Sequence, residues 1–231
     1  LLKGLFNKEF PINSKGNSLK GPNRPPSLWI ALSVSVSHRG GHGNEFSMSP
    51  SAYSKVEQRT RAWLDSFVVG LNLCPFARPV ITADSLRLTV CESAQLETIA
   101  AMYLQELALI CDSPESEIAT SLLVLPTGLE DFETYLNFID NANHLLEDQG
   151  LTGTIQLASF HPQYQFDGEP PEASSHFTNR SPYPMIHFLR EDMMERLLQE
   201  FPNPQKIPQR NIETLQAITT EELQRRLDNL L

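Results

Sequence analysis

Three cysteines among 231 residues, at 74, 91 and 111, are too few and too scattered for a disulfide framework or a structural zinc cluster. Long apolar runs are missing too: none approaches eighteen residues, so the sequence holds no candidate membrane-spanning helix. The stretch Leu28 to Leu32 is too short for a signal-peptide core. No glycine-rich phosphate loop, nucleophile elbow, kinase signature or internal repeat occurs. Positive charge is short in most of the chain. Residues 1–50 carry six Lys/Arg against two acids, and the remainder carries 12 against 26, a net of −14 within a total of −10. Such acidity disfavours nucleic acid and anionic membrane surfaces as partners.

What is present is 40% hydrophobic residues, enough to bury a core. The first fifty residues differ in kind, being rich in Ser, Gly, Asn and Pro, with Gly21-Pro22-Asn23-Arg24-Pro25-Pro26 and Arg39-Gly40-Gly41-His42-Gly43. They read either as an organelle transit segment or as disordered sequence ahead of a start at Met48. The second is favoured because amphipathic Arg spacing is missing. The expected division is a disordered or transit-like segment over 1–50 and a single globular domain over 51–231. The expected location is cytoplasmic, or organellar if residues 1–47 are a transit peptide.

From Ala52 to Val69, apolar positions at Val56, Trp63, Leu64, Phe67 and Val68 predict a helix, with Gly70 as its C-terminal cap. Leu86, Leu88 and Val90 alternate with Arg87 and Thr89, the pattern of a strand with one polar face. Leu96, Ile99, Ala100, Tyr103, Leu104, Leu107 and Cys111 trace a helical stripe after Ser93, a plausible N-cap. Ser121 to Leu125 is the near-continuous run of a central strand. Thr127-Gly128-Leu129-Glu130 reads as a capping box for a helix that ends at Gly150. Thr154 to Phe160 alternates again.

Strands joined by long helices are most simply parallel and right-handed. The expected fold is α/β: a compact two-layer sandwich with an N-terminal helix, then strand-helix-strand-helix-strand, then C-terminal helices. Helices should lie mainly on one side of the sheet, with the first helix covering part of the other. The alternative is an α+β ferredoxin-like arrangement. Further on, Ser181-Pro182 reads as an N-cap followed by proline at the first helical position. Met185 to Phe201 is either one helix or a strand through His187 followed by a helix from Glu191. Thr219 to Glu222 opens a last helix bearing Leu223, Leu227 and Leu230.

The segment Phe160 to Pro184 is longer than ordinary connections, and its aromatics and five prolines predict an ordered loop. It leaves the carboxyl end of a strand, where open α/β sheets place their ligands. His161 stands first in it, a candidate general base. Asn179, Arg180 and Ser181, with Tyr183 and Tyr164, form a candidate substrate-binding group: a helix starting at Ser181 beside Arg180 would favour a carboxylate or phosphate. Cys74, followed by Pro75 and near Arg78, is a candidate nucleophile or redox thiol whose thiolate those neighbours would stabilise. Cys74-Pro75-Phe76-Ala77 is similar to the active-site turn of thioredoxin-fold proteins and glutathione transferases, but a helix and not a strand precedes it, and no second cysteine stands at CxxC spacing. Cys91 and Cys111 look structural. His161, Asp167, Glu169, Glu172, His176 and His187 are suitable metal ligands, yet their spacing matches no metal motif, so no metal is assigned.

Together, Gly70-Leu71-Asn72-Leu73-Cys74-Pro75-Phe76-Ala77, Ala158-Ser159-Phe160-His161-Pro162-Gln163-Tyr164-Gln165-Phe166 and Thr178-Asn179-Arg180-Ser181-Pro182-Tyr183-Pro184 resemble a family of uncharacterised bacterial proteins, each a single small cytosolic domain of unknown function. The resemblance covers about Val56 to Leu215. It implies a shared fold and a shared site, with no reaction attached. The leading functional reading is an enzyme or binder for a small anionic metabolite, with Cys74 as nucleophile, His161 as base and Arg180 as anion clamp. The alternatives are a metal-dependent hydrolase or oxygenase, and a non-catalytic ligand sensor or interaction module. The cofactor is unknown.

Overall fold

Ser54 starts the first helix through a reciprocal cap. Its Oγ accepts from the Glu57 N–H at 3.3 Å, and the Glu57 carboxylate accepts from the Ser54 N–H at 2.8 Å. The computed structural model describes residues 54–230, so the leader expected over 1–50 lies outside the described residues. Helix α1 (Lys55–Trp63) runs into a π-helical turn over Leu64–Val69. Gly70 is the C-cap of this turn, as expected, but in another conformation from the usual glycine cap. Its φ of −65° is right-handed, and the left-handed turn falls at Asn72. A Cβ at Gly70 would sit 2.4 Å from the Ser66 carbonyl oxygen, so glycine is required there by close backbone approach.

After the short α2 (Ala77–Thr82), the expected alternation follows: β1 (Leu86–Val90), α3 (Leu96–Asp112), β2 (Thr120–Val124), α4 (Phe132–Asp148) and β3 (Ile155–Phe160). Two caps are displaced from their expected residues. Gln95 occupies the N-cap position of α3, and Ser93 instead accepts from the Gln95 N–H. Asp131 caps α4 by accepting from the Thr134 N–H at 2.8 Å, while Glu130 accepts from the Gly128 N–H.

The fold is α/β, and its sheet is mixed. β1 and β2 are parallel, as the long helical connection demands. β2 and β3 also point the same way, but they are not neighbours. The chain returns through the long 161–184 segment as β4 (Met185–Arg190), which inserts antiparallel between them to give the order β1-β2-β4-β3. The run of adjacent parallel strands expected from the sequence therefore stops after one pair. Helix α5 (Glu191–Glu200) begins directly after β4, so of the two readings left open for 185–201 the strand-then-helix one holds. No helix forms at Ser181; its Oγ donates to the Tyr183 carbonyl at 2.6 Å.

Helices cover both faces of the sheet. On one, Ile99, Tyr103 and Leu107 of α3 and Tyr135 and Ile139 of α4 pack with Leu123, Leu157, Ile186 and Phe188. On the other, Trp63 and Phe67 cluster with Leu122, Val124 and Met185 and with leucines of α6 (Ile207–Gln216) and α7 (Thr220–Asp228). The second face thus receives more than the first helix, because β2 and β4 are apolar on both sides. The polar face of β1, although Arg87 itself is exposed, is only partly solvated. It meets Glu106 of α3, only 4% exposed, which accepts two bonds from Arg87 Nε and Nη2 at 2.9 and 3.1 Å, one from Thr89 at 3.0 Å and one from Ser121 at 2.6 Å.

Removing one partner of a buried charge leaves the other uncompensated. Arg87→Met should therefore lower the free energy of unfolding by about 3 kcal/mol in urea titration. A loss below about 1 kcal/mol would mean the ion pair is no more than a surface pair.

Candidate functional site

The second sheet face and the helices over it enclose a cavity of about 130 Å³. Its floor is a row across three paired strands: Leu122 of β2 lies opposite His187 of β4, and His187 lies opposite Ala158 of β3. Trp63, Leu64 and Val68 enter from α1 and its π-helical turn, Val80 and Ile81 from α2, Met193, Met194 and Leu197 from α5. A π-helical turn offsets side chains from α-helical positions, which here places residues of one helix end over the sheet. Among the described residues every one lining the cavity is uncharged; the polar ones are Cys74, Thr120, Ser159, Thr178, Asn179, His187 and Asn211.

Cys74 reaches this wall through a braced turn. The N–H groups of Leu73 and Cys74 donate to the Val68 carbonyl, Asn211 of α6 donates to the Leu73 carbonyl at 2.7 Å, and Arg210 donates to the Asn72 carbonyl at 2.7 Å. Burial pushes the thiol up, and this outweighs the amides of Phe76 and Ala77 and the Arg210 charge, which pull it down. Burial thus works against the thiolate expected there, and the cation that acts on the thiol is Arg210 in place of Arg78. Cys91 is buried, whereas Cys111 is exposed on α3 and is no part of its apolar stripe.

His161 is fully buried outside the cavity lining. The Gln163 N–H donates to its Nδ1 at 3.0 Å, so the ring proton is on Nε2, which donates to the Leu129 carbonyl at 3.1 Å. His176 repeats the arrangement, accepting from the Phe166 N–H at 3.1 Å and donating to the Pro170 carbonyl at 2.8 Å. Both rings are occupied in holding the long segment, which is ordered as expected, with Tyr164, Phe166 and Phe177 buried. Asn179 closes it by donating to the Ser159 carbonyl at 3.0 Å, while its own carbonyl accepts from the His161 N–H. The buried Tyr164 hydroxyl bonds to Ser159 and Asn179.

The anion clamp expected around residues 179–183 is built differently. With no helix at Ser181, no dipole end faces Arg180. The Arg180 Nε donates to the Tyr164 carbonyl at 3.2 Å, and its guanidinium lies 4.7 Å from the Phe177 ring centre. Tyr183 lies under Arg59 at 5.8 Å. Of the predicted group, Cys74 and Asn179 reach the cavity, and Arg180, Ser181, Tyr183, Tyr164 and His161 are not among its lining residues. Among the described residues, no three His, Cys, Asp or Glu side chains converge in a metal-holding cluster, and no helix is long and apolar enough to cross a membrane.

His187 is the cavity residue that the motifs did not single out. Burial pushes its pKa down to about 4, and it shares the downward direction with His161 and His176, also by burial. The unfolded ring titrates near ~6.5, so the unfolded chain binds more protons between that pH and about 4. The stabilisation is complete above the unfolded value and is lost as pH falls through this window. Unfolding free energy from urea titration should therefore drop between pH 7 and pH 4.5, with at most about 1.4 kcal/mol per pH unit from each histidine. His187→Gln should flatten part of that slope; an unchanged slope in the variant would mean that His187 binds protons as readily in the fold as in the unfolded chain.

No curated protein and no solved structure matches the chain. A family model does, over residues 55–225, under the description "Protein of unknown function (DUF1415)". The match spans α1 through the first turns of α7, including all four strands and the cavity they floor. The chain belongs to that family of domains of unknown function.

Proposed function

We propose that this domain binds a small, neutral, largely apolar molecule in the cavity over β2, β4 and β3. The observation that carries this reading is that the described residues lining the cavity are all uncharged and mostly apolar. An anion placed there would lose its hydration with no cation to replace it, at a cost of several kcal/mol. This favours a neutral ligand over the anionic metabolite expected from the sequence, since Arg180 is already engaged by the Tyr164 carbonyl and the Phe177 ring. The size is suited to one ring or a short branched chain: an apolar cavity of about 150 Å³ accepts benzene. The protonated Cys74 thiol supports binding more than nucleophilic catalysis.

Calorimetric titration of the full chain with toluene and with benzoate tests the reading. Toluene should bind and raise the melting temperature by mass action, while benzoate should bind at least about 100-fold more weakly. Ala158→Phe, which fills the floor of the cavity, should abolish toluene binding while leaving the far-UV circular dichroism unchanged. Benzoate binding as well as toluene, or toluene binding that survives Ala158→Phe, would overturn it.

A further inference from the structure

The buried His161 and His176 have both ring nitrogens engaged by backbone groups; the half-buried His187 does not. Its Nε2 lies 2.7 Å from Thr120 Oγ1, and the same oxygen lies 2.6 Å from the Phe188 carbonyl oxygen. A carbonyl oxygen only accepts, and the threonine hydroxyl has one hydrogen to give. That hydrogen goes to Phe188, so the Thr120 oxygen is left as an acceptor and His187 Nε2 must be the donor. The ring's remaining nitrogen, Nδ1, is then a bare lone pair, and no described residue donates to it. The paired strands fix this arrangement, because Thr120 and His187 are diagonal neighbours across the β2–β4 ladder.

We infer that the ligand of this cavity carries a hydroxyl donor on an apolar body, as a phenol or compact alcohol does, and that the hydroxyl donates to Nδ1 of His187. The inference rests on the binding reading above and adds the polar group that reading leaves open. Thr120 is the positioning residue: by accepting from Nε2 it selects the tautomer that presents Nδ1 as an acceptor. A ligand whose polar group only accepts, such as an ether or ketone, would face a lone pair with a lone pair. A hydroxyl buried without an acceptor is unfavourable relative to a methyl group of the same size. Phenol and toluene therefore differ in sign of preference according to whether Nδ1 is available.

The test is calorimetric titration of the full chain with phenol and with toluene, for wild type and His187→Leu. Wild type should bind phenol about tenfold more tightly than toluene, and His187→Leu should retain toluene binding and reverse the preference. Equal affinities in wild type, a preference for toluene, or a phenol preference that persists in His187→Leu would overturn the inference and leave the binding reading standing. Failure of both compounds to bind wild type would overturn both. Imidazole nitrogen NMR of the wild-type protein gives a readout that needs no folded variant. The His187 Nδ1 resonance should be that of an unprotonated nitrogen and should move with phenol but not with toluene. A protonated Nδ1 in the free protein, or one indifferent to phenol, would overturn the tautomer assignment.

Discussion

The insertion of β4 between β2 and β3 is the constraint on which the rest of the molecule depends. It converts two parallel β-α-β units into one mixed sheet, buries both faces of the two central strands, and sets His187 between Leu122 and Ala158. A shift of one residue in that register would turn Met185, His187 and Leu189 toward α3 and α4 and replace them with Ile186 and Phe188. The buried volume on the α3–α4 side leaves no tolerance for that exchange, since Ile186 and Phe188 are fully buried there among Tyr103 and Leu157. Cavity, tautomer and core are thus consequences of a single strand pairing.

The long segment 161–184 makes that pairing possible, and its histidines show why. A chain that must cross from the end of β3 back into the centre of the sheet has many backbone groups without ladder partners. His161 and His176 each satisfy one N–H and one carbonyl, and Asn179 and Arg180 satisfy two more carbonyls. Neutral imidazole suits this work because it is the one side-chain ring that both donates and accepts in fixed directions. Histidines whose type suggested catalysis are here the fasteners of the loop, and the cavity wall is built mainly from apolar residues of other elements, α1 with its π-helical turn, α2, α5 and the strands.

Much of the α/β frame was legible in the sequence because periodicity reports which side of an element is apolar. The stripe of α3 and the alternation of β3 follow from that alone, as does the last helix opened at Thr219 with Leu223 and Leu227 buried, while Leu230 falls beyond its end at Asp228. β4 was ambiguous because a six-residue run apolar on both faces, joined without a break to a helix, carries neither a period of two nor a boundary signal. The partner of the polar face of β1 is not legible, because a sequence does not reveal that Glu106, one element later, is buried against it. The site was legible only in part. Cys74 and Asn179 stand in its wall, but what sets His187 apart from His161 and His176 is its place on β4 beside Thr120 and an unengaged second ring nitrogen, a property of strand register invisible to spacing.

The cavity also bears on why the second face is covered as it is. Space of about 130 Å³ left unfilled by side chains forgoes about 3 kcal/mol of packing, a large share of the stability of a domain this size. Simple substitutions on its floor, such as a larger residue at Ala158, would recover part of that without altering the fold. The surrounding elements instead hold the space open with local geometry that is itself costly to maintain: a π-helical turn and a non-glycine residue at positive φ in Asn72. Both features lie within nine residues on the stretch that brings Trp63, Leu64, Val68 and Cys74 to the wall. Strain concentrated beside a void has a physical rationale when the void is occupied in use, because bound ligand restores the missing contacts and stabilises the native state by mass action.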